Sequence, residues 1–345
     1  MTSQGWSNPP FRNMIIRTTA YPRAALIGNP SDGYFGKTIA FTFSDFHAEA
    51  ILFESPEINI EPGLRDGNVF ESVDSLVYNI STYGYYGGIR LVKATIKCFH
   101  DYAIEHGIDL PRRNFTIRYS SNIPNLVGLA GSSAIVTACI RAIMAFYKID
   151  IPNYELANLV RAVENRELGI PAGLQDRVAQ VYRGLVYMDF DRQLLETRGY
   201  GRYEPLPADL MPPLYIAYRT DLSEGSEVFH NAIRERFNAG EPKVVDAMKK
   251  WAGMTEEALS AMKGKNYEAL SAIMNENFDL RAQLYQLSEG NLRMVAVARE
   301  CGASAKFSGS GGAIVGICPD DATFGRLQSR LGALGVKVLR PKLAL

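Results

Sequence analysis

The stretch Pro124-Asn-Leu-Val-Gly128-Leu-Ala-Gly131-Ser132-Ser133-Ala134 runs directly into an apolar segment that ends at Tyr147. Glycine at positions 128 and 131 lets the backbone turn sharply and approach a ligand closely. The first amides of a helix have no acceptor within it, and the helix dipole favours negative charge there. The stretch therefore predicts a phosphate-binding loop at the start of a central helix over residues 133–147. The stretch is not the G-x-x-x-x-G-K-[ST] loop, because no lysine follows it. A tight turn with serine N-caps and small residues for close packing is the alternative.

The composition is typical of a globular protein without an excess of either charge. The chain has 345 residues, of which 47% are hydrophobic, and its 37 Lys and Arg balance 37 Asp and Glu. The length and apolar content argue against disorder. The zero net charge argues against nucleic acid or an anionic membrane surface as the main partner. Neither nucleic acid nor a membrane is therefore expected as a partner. The expected oligomeric state is a monomer or a homodimer.

Cysteine usage and the N-terminus indicate a cytoplasmic location. Residues 1–10 contain no apolar run of the kind that a signal peptide needs. The four cysteines are widely spaced without a C-x-x-C motif, and the four histidines form no H-E-x-x-H motif. This pattern favours buried thiols in a reducing compartment over disulfides or a zinc site. The cysteines are Cys98, Cys139, Cys301 and Cys318.

The hydrophobic pattern predicts an α+β protein of two domains. Helices are predicted at residues 73–83, 88–106 and 133–147, and another is predicted to begin at Asn153 as its N-cap and to end at Gly169. Strands are predicted at residues 14–17, 24–27, 38–43, 49–53, 115–119, 185–190, 214–219, 313–318 and 336–340. The Pro-rich stretch 204–213 divides a first domain, residues 1–200, from a second, residues 201–345. In the second domain, helices over residues 226–299 are expected to pack on a small antiparallel sheet.

A second motif, Glu164-Asn-Arg-Glu-Leu-Gly169-Ile-Pro-Ala-Gly173-Leu-Gln-Asp176, holds two carboxylates around a glycine-shaped turn. Glu164 adjoins the apolar stripe of its predicted helix, and a carboxylate there is costly unless a metal or a cation pairs with it. The two carboxylates, Glu164 and Asp176, could act as one metal ligand and one proton acceptor. The alternative is a salt bridge at a helix end with Arg161 or Arg166, and an Asx turn at Asp176.

Two further loops carry groups that suit a phosphate and a sugar. Lys306-Phe-Ser-Gly309-Ser310-Gly311-Gly312-Ala313 exposes main-chain amides before a strand, although a flexible hairpin turn explains it equally well. Pro22-Arg23 begins a strand that leads to Gly28-Asn29-Pro30-Ser31-Asp32, where amide, hydroxyl and carboxylate groups could bind a polyhydroxylated ligand. A plain β-turn is the alternative for this loop.

The order and spacing of these motifs resemble those of the GHMP superfamily of small-molecule kinases. That superfamily carries an N-terminal loop, a central Gly-Leu loop followed by Ser-Ser-Ala, and a C-terminal glycine-rich loop. The resemblance spans about residues 20–318. It implies an N-terminal domain with a left-handed βαβ crossover, a ferredoxin-like C-terminal domain, and an active site in the cleft between them.

Within the superfamily, four segments resemble the glucuronokinases: residues 27–36, 84–91, 172–182 and 306–313. Gly-Asn-Pro-Ser-Asp at 28–32 replaces the Gly-Glu-His-Thr-Asp of galactokinases, which argues against galactose. The resemblance implies transfer of the γ-phosphoryl group of ATP to the anomeric hydroxyl of D-glucuronate. The alternatives are another sugar or sugar acid (galacturonate, arabinose or galactose) and a non-catalytic ligand-binding relative.

The resemblance also implies a role for each motif residue. Asp176 is expected to accept the proton of the sugar hydroxyl, with Arg23 near the transferring phosphoryl group; Ser133 and Glu164 are expected to hold Mg²⁺. The nucleotide is expected to contact Gly128, Leu129, Ala130, Gly131, Ser132, Ser133 and Ala134. The substrate is expected to contact Asn29, Ser31, Asp32, Asp176, Gly309, Ser310, Gly311 and Gly312. Some members of the superfamily function without a catalytic base. The alternative role of Asp176 is therefore to orient the sugar hydroxyl and Arg23.

A carboxylate on the substrate needs a cation in the protein. Arg90, Arg177 and Lys37 lie in or beside the segments that most resemble glucuronokinases, and arginine suits planar, bidentate pairing with a carboxylate. For each of the three, a surface or structural ion pair is the alternative.

Overall fold

The computed structural model describes residues 14–63, 66, 71–83, 87–222 and 233–345, and every structural statement below concerns these residues. They form three four-stranded sheets, with helices packed on and between them. The strands are β1 (Ile15–Ala20), β2 (Arg23–Ile27), β3 (Lys37–Thr42), β4 (Ala48–Ser55), β5 (Asn59–Glu61), β6 (Asn114–Ser121), β7 (Leu185–Asp189), β8 (Arg202–Leu206), β9 (Leu214–Tyr218), β10 (Lys306–Phe307), β11 (Ala313–Ile317) and β12 (Lys337–Leu339).

The helices are α1 (Val73–Tyr83), α2 (Ile89–Glu105), α3 (Gly131–Tyr147), α4 (Asn153–Ala162), α5 (Gln175–Tyr182), α6 (Arg192–Arg198), α7 (Pro242–Lys263), α8 (Tyr267–Leu284), α9 (Glu289–Glu300) and α10 (Asp321–Gly332). The helix predictions at 73–83, 88–106 and 133–147 are confirmed. In the described part of the chain, no helix is both long enough and apolar enough to cross a membrane.

The first sheet has the strand order β1-β4-β6-β5 and supports the central helix α3. Residues of β4 alternate between buried and half-buried positions, and Ala48, Ala50 and Leu52 form its inward face. Small side chains there let α3 approach closely. Strand β5 pairs in parallel with β6, and α1 and α2 lie between these two strands in the chain. The sheet therefore contains the βαβ unit that the resemblance implied.

The second sheet has the order β2-β3-β7-β8 and lies at the centre of the molecule. All five residues of β2 are buried, because α5, α7, α8 and β11 all contact this strand. Such double covering explains the nearly continuous apolar run Ala-Ala-Leu-Ile after Arg23. Strand β8 begins at Arg202 and pairs with β7, so this sheet continues past residue 200. The division into residues 1–200 and 201–345 stays a prediction.

The third sheet has the order β10-β11-β9-β12 and is antiparallel throughout. Helices α7 to α9 lie between β9 and β10 in the chain, and α10 lies between β11 and β12. In chain order the four strands are therefore arranged 2-3-1-4 with two helical connections, which is the ferredoxin-like arrangement. The end of the chain returns to the second sheet, where Ala344 N donates to Thr42 O (2.9 Å) and Gly184 N donates to Ala344 O (2.7 Å).

The structure differs locally from the sequence-based predictions. Asn153 is the first residue of α4 rather than its N-cap, because Pro152 has the extended backbone of the cap position and no side chain caps the helix. After α4 the chain continues as a π-helical turn, Val163–Glu167, and leaves it before Gly169 (φ +67°), as predicted. Strands β5 and β10 and helices α5, α6 and α10 were not predicted, and β8 overlaps the predicted boundary stretch. Asp176 therefore lies at the start of a helix and not in the predicted loop. Of the predicted helical region 226–299, residues 226–232 lie outside the described residues.

Candidate active site

The two glycine-rich loops lie against each other. A Cβ at Gly309 would overlap the carbonyl oxygen of Gly128, and one at Gly128 would lie 2.8 Å from Ser310 N. Gly128 and Gly312 also have positive φ angles, +66° and +76°, which favour glycine. The loop before α3 and the loop between β10 and β11 therefore form one main-chain surface at the start of that helix.

The loop before α3 is held in place from behind by buried groups. Gln180 Nε2 donates to Ala130 O (2.8 Å), and the hydroxyl of Ser133 donates to the same oxygen (3.2 Å). The side chains of Leu129, Ser133 and Ala134 are buried, whereas Ser132 is exposed. Leu129, Ser133 and Ala134 can therefore reach a phosphate only through main-chain amides, as the start of a helix allows.

Arg23 links both loops to the predicted proton acceptor. Its Nε donates to Asp176 Oδ1 (2.6 Å), and its Nη1 donates to Gly128 O (2.8 Å) and Ser308 O (2.6 Å). Nη2 makes no hydrogen bond to the described residues. The side chain is 5% exposed. A buried guanidinium group thus lies where the two loops and Asp176 meet, and its role near a transferring phosphoryl group stays a prediction.

Asp176 lies in the first turn of α5 and is held ionised by arginines. Burial raises its pKa, but the guanidinium groups of Arg23 and Arg177 outweigh this effect, and the pKa of Asp176 lies below its usual value. Arg177 Nη1 lies 3.4 Å from Asp176 Oδ2, and its Nη2 pairs with Glu164 Oε2. An ionised carboxylate can accept hydrogen bonds and a proton, so Asp176 is able to orient a hydroxyl.

Glu164 is almost fully buried and contacts the start of α3. Its Oε1 accepts a hydrogen bond from Ser132 Oγ (2.7 Å), and its other oxygen pairs with Arg177. The Glu–Arg pair resembles the helix-end salt bridge that was the alternative reading, although the partner is Arg177 and not Arg161 or Arg166. The predicted metal ligand Ser133 instead donates to Ala130 O. The hydroxyl beside the carboxylate is therefore that of Ser132, because one helical step turns Ser133 into the core.

These groups suit Mg²⁺, which is commonly held by one or two carboxylates together with substrate phosphates and water. A buried carboxylate with a hydroxyl beside it, at the edge of a phosphate-binding loop, supplies such a donor set. No group of three or more His, Cys, Asp or Glu that could hold a metal ion occurs among the described residues.

Asp32 is a second carboxylate near Asp176. It is half-buried, and a Cβ at Gly173 would lie 2.5 Å from Asp32 Oδ2, so the carboxylate lies against the turn before α5. Burial and then the charge of Asp176 raise the pKa of Asp32 from its ordinary value of 3.8 to about 6. A carboxylate that is hard to ionise gains from hydrogen-bond donors such as sugar hydroxyls.

Asn29 and Ser31 make hydrogen bonds inside the protein. Ser31 is fully buried and its hydroxyl donates to Lys37 O (3.0 Å), so the structure does not favour its predicted contact with substrate. Asn29 Oδ1 accepts from Lys306 Nζ (2.6 Å), and Asn29 O accepts from Asn277 Nδ2 (3.1 Å). Both side chains shape the loop that presents Asp32.

Two buried cations near the loops were not predicted. Lys306 Nζ also donates to Ala25 O and Phe307 O (both 2.8 Å), and burial, then Arg281 and Arg23, lower the pKa of Lys306 well below its ordinary value. Arg281 on α8 donates to Gly309 O (3.0 Å) and Ser310 O (3.3 Å). Lys306 begins the glycine-rich motif at residues 306–313 and could have been predicted as a site residue from the sequence, whereas no sequence signal marks Arg281.

The predicted cations for a substrate carboxylate are placed differently. Lys37 Nζ pairs with Glu256 (2.6 Å) and Asp189 (3.3 Å), and Arg177 pairs with Glu164 and Asp176. Lys37 and Arg177 therefore form ion pairs within the protein, which was the alternative to binding a substrate carboxylate. Arg90 lies in the first turn of α2 and is half-buried.

Comparisons with known proteins agree with this architecture. A family model described as "GHMP kinases N terminal domain" matches residues 90–184, and one described as "GHMP kinases C terminal" matches residues 258–337. Probable glucuronokinase 2 from Arabidopsis thaliana is 43% identical over 89% of this chain and 86% of its own length. Glucuronokinase 1 from the same plant is 41% identical over 88% of this chain and 85% of its own length. The crystal structure of Streptococcus pneumoniae phosphomevalonate kinase superposes with a TM-score of 0.73 at 15% identity, covering 96% of this chain and all of that one, which shows a shared fold.

Proposed function

The chain belongs to the GHMP kinase family, in the group of the glucuronokinases, and from this premise we propose that it transfers the γ-phosphoryl group of ATP to the anomeric hydroxyl of D-glucuronate. The observation that carries the proposal is Arg23, which hydrogen-bonds Asp176 and both glycine-rich loops at once. A phosphoryl group on this surface and a hydroxyl on Asp176 would both lie beside one buried guanidinium group. Phosphoryl transfer depends mostly on such positioning and charge neutralisation.

On the acceptor side, Asp176 would receive a hydrogen bond from the anomeric hydroxyl and then its proton. Because Arg23 and Arg177 hold its pKa low, Asp176 is a weak base in the free enzyme. It would therefore accept the proton late, as the new O–P bond forms. Asp32 would accept hydrogen bonds from other sugar hydroxyls, and its raised pKa is compatible with a site that is partly shielded from water.

On the nucleotide side, the amides of residues 128–134 would bind the phosphates, and residues 309–312 would line the γ-phosphate. Mg²⁺ would be held by Glu164 with the hydroxyls at the start of α3, of which Ser132 lies beside Glu164 and Ser133 stays a prediction. When bound, the ion supplies charge neutralisation for the phosphates. Arg177 orients Glu164 through their ion pair. A cytoplasmic location and a monomeric or homodimeric state are part of the same proposal.

An ADP-release assay with Mg-ATP and a panel of acceptors tests the function. The panel holds glucuronate, galacturonate, glucose, galactose, arabinose and mevalonate. We expect glucuronate to be phosphorylated with a kcat/KM well above that of the others. Turnover of galacturonate or a neutral sugar instead would keep the kinase and refute the glucuronate assignment. If ATP binds but no acceptor reacts, the result favours a non-catalytic relative.

A further inference from the structure

Two arginines are anchored beside Asp32. Asp32 Oδ2 lies against Gly173, and Arg161 of α4 donates through Nε to the oxygen of the preceding residue, Ala172 (3.2 Å). Arg234 Nη1 donates to the oxygen of Gly33 (3.1 Å), the residue that follows Asp32. The Arg234 guanidinium also stacks 4.8 Å from the centre of the Tyr34 ring. Arg161 is thus anchored to the residue before Gly173, which lies against Asp32, and Arg234 is anchored to the residue after Asp32.

These two cations differ from Arg23 and Arg177 because they have no anionic partner among the described residues. Arg23 is paired with Asp176, and Arg177 is paired with Glu164 and Asp176. Among the described residues, no carboxylate oxygen lies within 4.0 Å of Arg161 or Arg234. Each of these two guanidinium groups also keeps nitrogen donors that no described residue occupies. The site therefore has an excess of positive charge beside Asp32.

Arg161 and Arg234 also influence each other. Burial, and then the guanidinium groups of Arg177 and Arg234, lower the pKa of Arg161. Holding like charges together is unfavourable unless an anion binds between them. Arg161 is half-buried and its stem is fixed by the bond to Ala172, so little ordering is needed when an anion binds. A planar carboxylate matches the paired donors of a guanidinium group.

We propose that Arg161 and Arg234 form a subsite that binds the carboxylate of a sugar-acid substrate while Asp32 binds its hydroxyls. The inference rests on the proposed function and adds the feature that selects an acid over a neutral sugar. In glucuronate the anomeric hydroxyl and the carboxylate are carried by the two ring carbons that flank the ring oxygen. A sugar whose anomeric hydroxyl contacts Asp176 therefore has its carboxylate within reach of the surroundings of Asp32.

The test compares D-glucuronate with D-glucose, which differs only in having a hydroxymethyl group in place of the carboxylate. The variants are Arg161→Gln and Arg234→Gln, with Arg161→Lys as the conservative variant that keeps the charge but loses the forked donor. Arg198→Gln is the matched control, because Arg198 is an exposed arginine on α6 with no contact to the site. Purified full-length proteins are assayed for kcat and KM with both sugars and with ATP, and their thermal midpoints are measured.

We expect each glutamine variant to raise the KM for glucuronate about 10- to 100-fold, which is the range for losing a hydrogen bond to a charged group. The KM for ATP and any turnover of glucose should stay within about twofold of wild type. Arg161→Lys should lie between wild type and Arg161→Gln, and Arg198→Gln should match wild type. Preference for glucuronate over glucose should therefore fall most in the glutamine variants, less in Arg161→Lys, and not in Arg198→Gln.

Three results would overturn the subsite. The first is an unchanged KM for glucuronate in both glutamine variants at normal thermal midpoints, which leaves the proposed function intact. The second is an equal loss with glucose and glucuronate, which indicates a structural role for both arginines. The third is a wild-type enzyme that prefers neutral sugars; this result is seen without any variant and refutes the proposed function together with the subsite.

Discussion

Replacing Asp32 by Asn should stabilise the protein at pH 8 while weakening substrate binding. Burial and the carboxylate of Asp176 raise the pKa of Asp32 from 3.8 to about 6. Between these two pH values the folded protein binds a proton more tightly than the unfolded chain, so stability falls as the pH rises through this window. A shift of about two units at about 1.36 kcal/mol per unit corresponds to about 3 kcal/mol at pH 8. Because Asp32 is half-buried and partly screened by water, we expect a gain of about 1–3 kcal/mol in Asp32→Asn.

The pH dependence separates this cause from a general improvement in packing. At pH 5 Asp32 is mostly ionised in the unfolded chain but mostly protonated in the folded protein. The destabilisation that Asp32 causes is then about half of its value at pH 8, so Asp32→Asn should stabilise the protein about half as much. Urea unfolding can be followed by the fluorescence of the fully buried Trp251. Asp150→Asn, at an exposed position, serves as the control and should change the free energy of unfolding by less than about 0.5 kcal/mol. A variant that is no more stable than wild type at pH 8, or equally stabilised at both pH values, would refute the reasoning.

Three further predictions concern the site and its support. Asp176→Asn should lower kcat about 100-fold or more with an unchanged fold, because a general base contributes about 10²–10⁴ in rate; a loss of tenfold or less would make Asp176 a positioning residue. Glu164→Gln should raise the Mg²⁺ concentration needed for half-maximal activity and lower stability by about 3–5 kcal/mol, because it breaks a buried ion pair with Arg177. A magnesium titration matching that of the exposed control Glu196→Gln would remove Glu164 from the metal site. Lys306→Met should cost at least about 3 kcal/mol in urea unfolding, because three buried acceptors lose their donor; a cost as small as that of the exposed Lys263→Met would contradict this.

Parts of the site that depend on local backbone chemistry could be predicted from the sequence. The loop at 128–131 and helix α3 follow from glycine conformations and from the apolar segment up to Tyr147, and both lie where predicted. The turn at Gly169 was predicted for the same reason, since its positive φ favours glycine. Resemblance to known kinases then joined motifs that were ambiguous separately.

Other parts depend on which face a side chain takes, and a one-residue step changes that. Ser133 was the predicted metal ligand, but about 100° of rotation around α3 places Ser132 beside Glu164 and buries Ser133. Asn153 similarly stood at the right place for an N-cap, yet the proline before it takes the cap position. Strand β8 overlaps the Pro-rich stretch that was predicted to be a domain boundary, and its pairing with β7 decides its structure.

The sequence by itself determined the glycine loops and the central helix, because each depends on neighbours within a few residues along the chain. The roles of the site residues came from the resemblance to known kinases and stay predictions. Only the tertiary structure decided their partners. Lys306 bonds Asn29 across 277 positions, and Arg161 and Arg234 are anchored beside Asp32 from distant segments. Such contacts have no local signature, since they arise when packing of the apolar faces of separate elements brings remote segments together. The excess of positive charge beside Asp32 is likewise a property of the folded chain. It depends on which of the nearby arginines form ion pairs with carboxylates of the protein and which do not.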